Sequence, residues 1–258
     1  MHAGSESSLL YLSSEHGERK ANEIVISLGN TTHVRKVVKL IPVSVTLPNI
    51  FPNVNQYKNT WREGVDPTLL SIPEGQYDVD SLVVALNAAS GDFTFSHNGT
   101  SFVITNVSGG TTAIRTTSSD LFELLGFQDQ IVKGTTEYVL SFASSDVFVG
   151  GLPNLGGEKV VFVMSHKLAH ANMCFGGDGT QYDCVAHVDF TQTDYGQSSI
   201  FRVDDIDAHD IDFYYHNNLD VVTLYLYDSR FRDLILPNNY HLRIVLRAHH
   251  KDTKLLSN

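Results

Sequence analysis

Apolar and polar residues alternate along most of this chain in short segments. These segments are rich in Val, Ile, Thr, Tyr and Phe and are separated by clusters of Gly, Asn, Asp, Ser and Pro, a pattern typical of strands joined by turns. In 221–227, for example, Val222, Leu224 and Leu226 share one face by the two-residue period of a strand. We predict strands at 23–28, 37–47, 93–97, 101–107, 138–142, 159–164, 184–190, 211–216, 221–227 and 241–248. Helices do not alternate with these strands, so the spacing predicts a sandwich of antiparallel sheets.

Two segments have helical spacing instead, and both lie in one region. Segment 78–87 has an acidic start and an apolar stripe, and segment 117–126 has Ser and Thr at its start and Gly126 at its end. Between them, Asn98-Gly99 predicts a hairpin turn inside FTFSHNGTSFVITN. We therefore predict a mainly β fold in which a sandwich of residues 1–71 and 131–258 is interrupted by a small α+β module at 72–130. The two ends of this module should lie close together.

The composition narrows the class of protein. Apolar residues make up 42% of the 258 residues and charged residues 18%, so the chain can build a sizeable core. No run approaches the ~20 apolar residues of a membrane span, and the first residues do not resemble a secretory signal, so we expect a soluble protein that is not secreted. The formal net charge of −11 argues against nucleic-acid binding, and it predicts that copies of this chain repel one another. Cys174 and Cys184 could close a hairpin loop, but two cysteines without an export signal favour free thiols.

Candidate catalytic and metal-binding residues are few. His166 and His170 have the spacing of two ligands on one helix face, but no Glu follows His166 as in zinc proteases, and a polar loop is the favoured reading. The acidic residues Asp204, Asp205, Asp207, Asp210 and Asp212 lack the glycine and terminal Glu of an EF-hand loop, so a solvated loop is favoured over a calcium site. Cys184 and His187, three residues apart on one predicted strand, point to opposite faces.

No nucleophile elbow, phosphate-binding loop or dinucleotide fingerprint is present either. We therefore assign no catalytic, cofactor-binding or metal-binding residue, expect no cofactor, and predict that the protein is not an enzyme.

Seven sequence segments, which we call phrases, occur along the chain in a fixed order. This order is more specific to one protein family than any single segment. The phrases are EIVISL, VRKVVKLIPVSVTLPNIFPNVN, SIPEGQY, FTFSHNGTSFVITN, VVFVMSHKLAH, YGQSSIFRVDD and LDVVTLYLYDSRFRDLILPNNYHLRIVLRAH, which together cover most of the chain from Glu23 onward. In this order they resemble the penton-type minor capsid proteins of virophages and Polinton-like viruses.

The resemblance implies a single jelly roll and a structural role at the fivefold vertex of an icosahedral capsid. It further implies a homopentamer, contact with a double jelly-roll major capsid protein, and a location in the virion after synthesis in the host cytoplasm. No Arg-Gly-Asp motif is present, so the resemblance gives no support to host attachment by this chain.

Two other functions fit a sandwich of this kind. A carbohydrate-binding jelly roll would use exposed aromatic residues in its loops, for which Trp61, Tyr57 and Tyr182 are candidates. A cupin-like metalloenzyme would use His166, His170 and His187 as ligands. Two interpretations of Trp61 remain open: it is either an exposed interface anchor in a loop or a side chain folded over the core of its own chain.

Overall fold

Antiparallel strands form most of the regular secondary structure, which confirms the mainly β prediction. The computed structural model describes residues 7–20, 22–28, 37–66, 68–166, 168, 173–175, 181–202, 211–212, 220–237 and 239–250. The chain divides into two compact units, one formed by Met1–Ile50 and Glu158–Asn258 and the other by Phe51–Gly157.

The first unit contains two sheets. The five-stranded sheet consists of β1 (Ser7–Ser13), β4 (Val37–Pro48), β16 (Ser198–Arg202), β17 (Ile211–Asp212) and β19 (Arg243–His250). The six-stranded sheet consists of β2 (Glu18–Lys20), β3 (Glu23–Ser27), β13 (Val160–Met164), β14 (Met173–Phe175), β15 (Gln181–Asp189) and β18 (Val221–Tyr227). A short 3-10 helix, Ser14–His16, connects β1 to β2.

The strand order in these sheets is that of a jelly roll. We count β1, β3, β4, β13, β15, the β16–β17 pair, β18 and β19 as strands one to eight; β16 and β17 count as one strand because both pair with β4. The sheets then have the orders 1-8-3-6 and 5-4-7-2. The first strand pairs with the eighth, the second with the seventh, the third with the sixth and the fourth with the fifth. A long hairpin rolled into two sheets has this nested pairing, as in double-sheet jelly rolls.

Apolar residues in register fill the interior of this unit. In the five-stranded sheet, Leu12, Ile244 and Val45 are cross-strand partners and all are buried. In the six-stranded sheet, Leu224 pairs with Ile24, and both are buried. In β3, β4, β18 and β19, the alternation that predicted the strands therefore points one side chain in two into the core.

The second unit combines two helices with two small sheets. Helix α1 is Val79–Ala89 and helix α2 is Asp120–Leu125. One sheet consists of β5 (Thr60–Glu63), β6 (Leu70–Ser71), β9 (Thr112–Thr116), β10 (Val132–Lys133) and β11 (Tyr138–Phe142). The other consists of β7 (Phe93–His97), β8 (Phe102–Asn106) and β12 (Val147–Val149). Both predicted helices and the predicted β7–β8 hairpin are present.

This unit is wider than the 72–130 range predicted from the sequence. Strand β5 precedes that range and pairs with β9, and β11 follows it and also pairs with β9. Because β9 is the central strand of its sheet, its neighbours on both sides belong to the same unit. The unit lies in the chain between β4 and β13, the third and fourth strands of the jelly roll.

Candidate functional site

The candidate metal ligands have separate partners in the structure. His166 lies in a turn after β13, and its Nδ1 is 2.8 Å from a carboxylate oxygen of Asp183. The ring of His187 lies 4.9 Å from that of Phe201 and 6.5 Å from that of Phe162, measured between centroids. His170 lies outside the described residues. Within the described part of the chain, no group of three or more His, Cys, Asp or Glu side chains is placed to hold a metal ion.

The other candidates bring no catalytic pair together. Cys184 is buried, and its thiol donates to the carbonyl oxygen of Ala186 at 3.5 Å, whereas His187 is exposed. The register of β14 and β15 places Cys174 opposite Tyr182, so the two cysteines are not cross-strand partners. Four members of the acidic cluster lie outside the described residues: Asp204, Asp205, Asp207 and Asp210.

Trp61 belongs to a core and not to an exposed loop, so its interpretation as an interface anchor is wrong. It lies on β5, is 1% exposed, and packs edge-on against Phe95 with 6.5 Å between ring centroids. Its indole Nε1 donates to a carboxylate oxygen of Glu63 at 3.1 Å. A buried indole cannot stack on a sugar, so the carbohydrate-binding hypothesis loses its best candidate. Tyr57 is half-buried, and the side chain of Tyr182 lies outside the described part.

Glu63 also borders a pocket of about 530 Å³ in the second unit. Its carboxylate accepts four hydrogen bonds: from the Trp61 indole, the Ser90 hydroxyl and the backbone N–H groups of Gly91 and Asp92. These four donors occupy the lone-pair positions of the carboxylate, so it has none directed at a ligand. Elsewhere in the pocket, Asp92 accepts from the Thr112 hydroxyl at 3.3 Å, and Arg115 donates to the Gly64 carbonyl at 3.0 Å. The Glu63, Asp92 and Arg115 side chains at the pocket therefore hydrogen-bond to other groups of the same unit.

The outer face of the five-stranded sheet has a different character. Tyr11, Val245, Ser44 and Arg202 are successive cross-strand partners on this face, opposite in phase to the buried row of Leu12, Ile244 and Val45. Tyr11 is 69% exposed, Ile200 55% and Leu9 50%. The face also carries three arginines: Arg202 and Arg243, which are exposed, and Arg247, which is half-buried. Among the side chains that the structure describes, no carboxylate lies on it. We call this surface the basic face.

The outer face of the six-stranded sheet carries the opposite charge. Glu18, Glu23 and Asp189 lie on it, and its basic side chains in the described part are Lys20, whose Nζ is 3.3 Å from a Glu18 carboxylate oxygen, and His187. Half-buried aromatic side chains fill the area between these charges, namely Phe162, Tyr225 and Tyr227. We call this surface the acidic face.

Tyr225 shows how the acidic face is held together. Its hydroxyl is 3.4 Å from a carboxylate oxygen of Glu23. Burial and the nearby Glu23 charge raise the pKa of Tyr225 above its usual value, so its hydroxyl remains a neutral donor. On the same face, the ring of Phe231 stacks on that of Phe162 with 4.9 Å between centroids.

No protein-family model matches the sequence. No curated protein matches it either. Among solved structures, the chain is similar to the selenomethionine-labelled crystal structure of the mavirus penton protein, with 15% identity and a TM-score of 0.47. That match covers 95% of this chain and 100% of the mavirus chain.

In the described part of the chain, no helix is both long enough and apolar enough to cross a membrane. Among the described helices, the longest is α1, with 11 residues.

Proposed function

We propose that this protein is a non-catalytic penton subunit of an icosahedral virus capsid. Five copies would form a ring at the fivefold vertex and contact the double jelly-roll major capsid protein. The protein would be made in the host cytoplasm and incorporated into the virion. It would bind no cofactor and make no direct contact with nucleic acid.

One observation carries this proposal: the phrases that resemble penton proteins build a jelly roll interrupted by an α+β unit. SIPEGQY leads into α1, and FTFSHNGTSFVITN forms the β7–β8 hairpin of the second unit. VVFVMSHKLAH contains β13, and the long C-terminal phrase contains β18 and β19 of the jelly roll. A fold by itself does not specify a function, so the ordered phrases supply the functional part of the argument.

The experiment that tests this proposal is reconstitution with the major capsid protein encoded by the same genome. We expect negative-stain images and native mass measurement to show rings of five, and these rings to bind the major capsid protein. If the protein remains a monomer in the presence of the major capsid protein, the proposal is wrong.

A further inference from the structure

We propose that the basic face of one subunit binds the acidic face of the next subunit in the ring. This inference rests on the proposed function, because it names the surfaces through which the proposed ring would form. Its partner is a second copy of this chain.

The basic face carries exposed apolar side chains. In the described part of the first unit, five large apolar or aromatic side chains are exposed, and three of them, Leu9, Tyr11 and Ile200, lie on the basic face. The other two, Tyr195 and Ile235, lie outside the strands. Apolar side chains grouped on an otherwise polar surface are typical of protein contacts, and Tyr and Arg are enriched at interface centres.

The two faces differ in the sign of their charge. The chain has 29 acidic and 18 basic residues, yet the described side chains of the basic face include three arginines and no carboxylate. No described carboxylate lies within 4.0 Å of the side-chain nitrogens of Arg202, Arg243 or Arg247, so these guanidinium groups have no ion-pair partner within the described part. A surface of this charge needs an acidic partner, and a second copy of this chain supplies one on its acidic face.

The positions of the two faces on the sandwich suit a contact that repeats. The two faces are the outer surfaces of the two sheets of one sandwich, so they point in opposite directions. A contact between different faces of identical subunits is head-to-tail, and its repetition gives a closed ring or an open filament. If the basic face instead bound the basic face of a second copy, assembly would stop at a dimer, and arginines would lie against arginines.

The test is a charge swap, measured by sedimentation velocity and negative-stain microscopy of the full chain. In the basic-face variant, Arg243→Glu and Arg247→Glu, both faces are acidic. In the swapped variant, these changes are combined with Glu18→Arg and Glu23→Arg, which restores both the complementarity and the wild-type net charge. The matched control, Lys133→Glu with Lys159→Glu, makes the net charge as negative as in the basic-face variant but changes exposed lysines outside both faces.

We expect the wild type, the swapped variant and the control to assemble, and the assembled fraction of the basic-face variant to fall at least tenfold. If the basic-face variant assembles like the wild type, the contact we propose is wrong, and the penton function is unaffected. If the wild type is a monomer under every condition, both are wrong. Filaments that depend on the same charges would support the contact but argue against a vertex ring.

Nucleic acid is the competing partner for a surface with three arginines. Fluorescence anisotropy with a labelled 20-nucleotide DNA distinguishes nucleic acid from a second copy of this chain as the partner. Binding by the wild type that is lost in the basic-face variant, with assembly unchanged, would overturn the proposed contact in favour of a nucleic-acid surface.

Discussion

Gly157 lies against the carbonyl oxygen of Phe51, so the second unit of this chain begins and ends at one place. A Cβ added to Gly157 would be 3.2 Å from that oxygen, and the φ angle of Gly157 is +73°, which favours glycine. Because the two ends are adjacent, β4 and β13 of the jelly roll can be joined either by a turn or by a unit of about a hundred residues.

Deletion of 52–156, with a short Gly/Ser linker joining Phe51 to Gly157, should therefore leave a soluble β protein. Deletion of 72–130, the range of the module predicted from the sequence, should instead give an aggregate. It removes β9, the strand that pairs with both β5 and β11. Far-UV circular dichroism and gel filtration of the two truncated proteins provide the measurement. The opposite ranking would show that the narrower range is the true insertion.

Glu63→Gln should destabilise the second unit by about 2–3 kcal/mol. The carboxylate accepts bonds from four donors, and an amide NH₂ in its place would face two of them and leave them unsatisfied. Glu137→Gln is the control: Glu137 accepts from Arg62 at a partly exposed site, where we expect a loss below about 1 kcal/mol. Urea unfolding followed by Trp61 fluorescence measures both. Equal losses would show that the Glu63 cluster contributes no more than a surface pair.

The emission maximum of Trp61, the only tryptophan, should not change when subunits assemble. Its side chain is 1% exposed within one subunit, so assembly has no water to remove from it. Emission spectra of the dissociated and assembled protein give the answer. A blue shift on assembly would mean that the indole is exposed in the free subunit.

Gly126→Ala should destabilise the second unit by about 3 kcal/mol or more. Gly126 ends α2 with φ +84°, and an added Cβ would lie 2.6 Å from the carbonyl oxygen of Gly151. Gly109→Ala is the control that measures backbone strain without a steric clash, since Gly109 has φ +78° and an added Cβ would have nothing within 4 Å. We expect this variant to lose about 1 kcal/mol of stability. Thermal unfolding of the two variants measures the difference, and equal losses would mean that the backbone near Gly151 moves away freely.

Asp78→Asn should lower the stability of α1 by an amount that depends on pH. The Asp78 carboxylate accepts hydrogen bonds from the backbone N–H and the hydroxyl of Ser81, which lowers the pKa of Asp78. The stabilisation is therefore complete above the pKa of the unfolded chain and is lost as the pH falls through the lower pKa of the folded chain. The gap in Tm between wild type and Asp78→Asn should shrink from pH 7 to pH 2.5. Asp78→Ala removes the cap at every pH, and a gap for Asp78→Asn that stays constant would contradict the assignment.

Salt should weaken the assembled wild type. The net charge of −11 alone predicts the reverse, because salt screens repulsion between like-charged subunits. In the proposed contact, facing charges would lie closer together than the average charges of two subunits, so we expect their attraction to dominate. Sedimentation velocity at roughly 20, 150 and 500 mM salt, chosen to bracket the screening range, decides between the two arguments. An assembled fraction that rises with salt would show that repulsion between the net charges of the subunits dominates.

The sequence by itself determined the elements with strong local signals. Asp78 before an apolar stripe gave α1, Gly126 marked the end of α2, and Asn98-Gly99 gave the β7–β8 hairpin, because capping and turn chemistry act over a few residues. It also gave the buried rows of β18 and β19, where alternation is regular.

Tertiary structure decided what depends on distant partners. Strand β1 was not predicted, because Leu9, Leu10, Tyr11 and Leu12 do not alternate in polarity; its pairing with β19, more than 200 residues away, makes it a strand. The sequence left the position of Trp61 open between an exposed loop and a core, since nothing nearby in the sequence shows that β9 pairs beside it and that Glu63 accepts a hydrogen bond from its indole N–H. The contrast between the basic and acidic faces was equally hidden. The sequence shows how many acidic and basic residues the chain has. Only the pairing of strands decides which of these residues share a face.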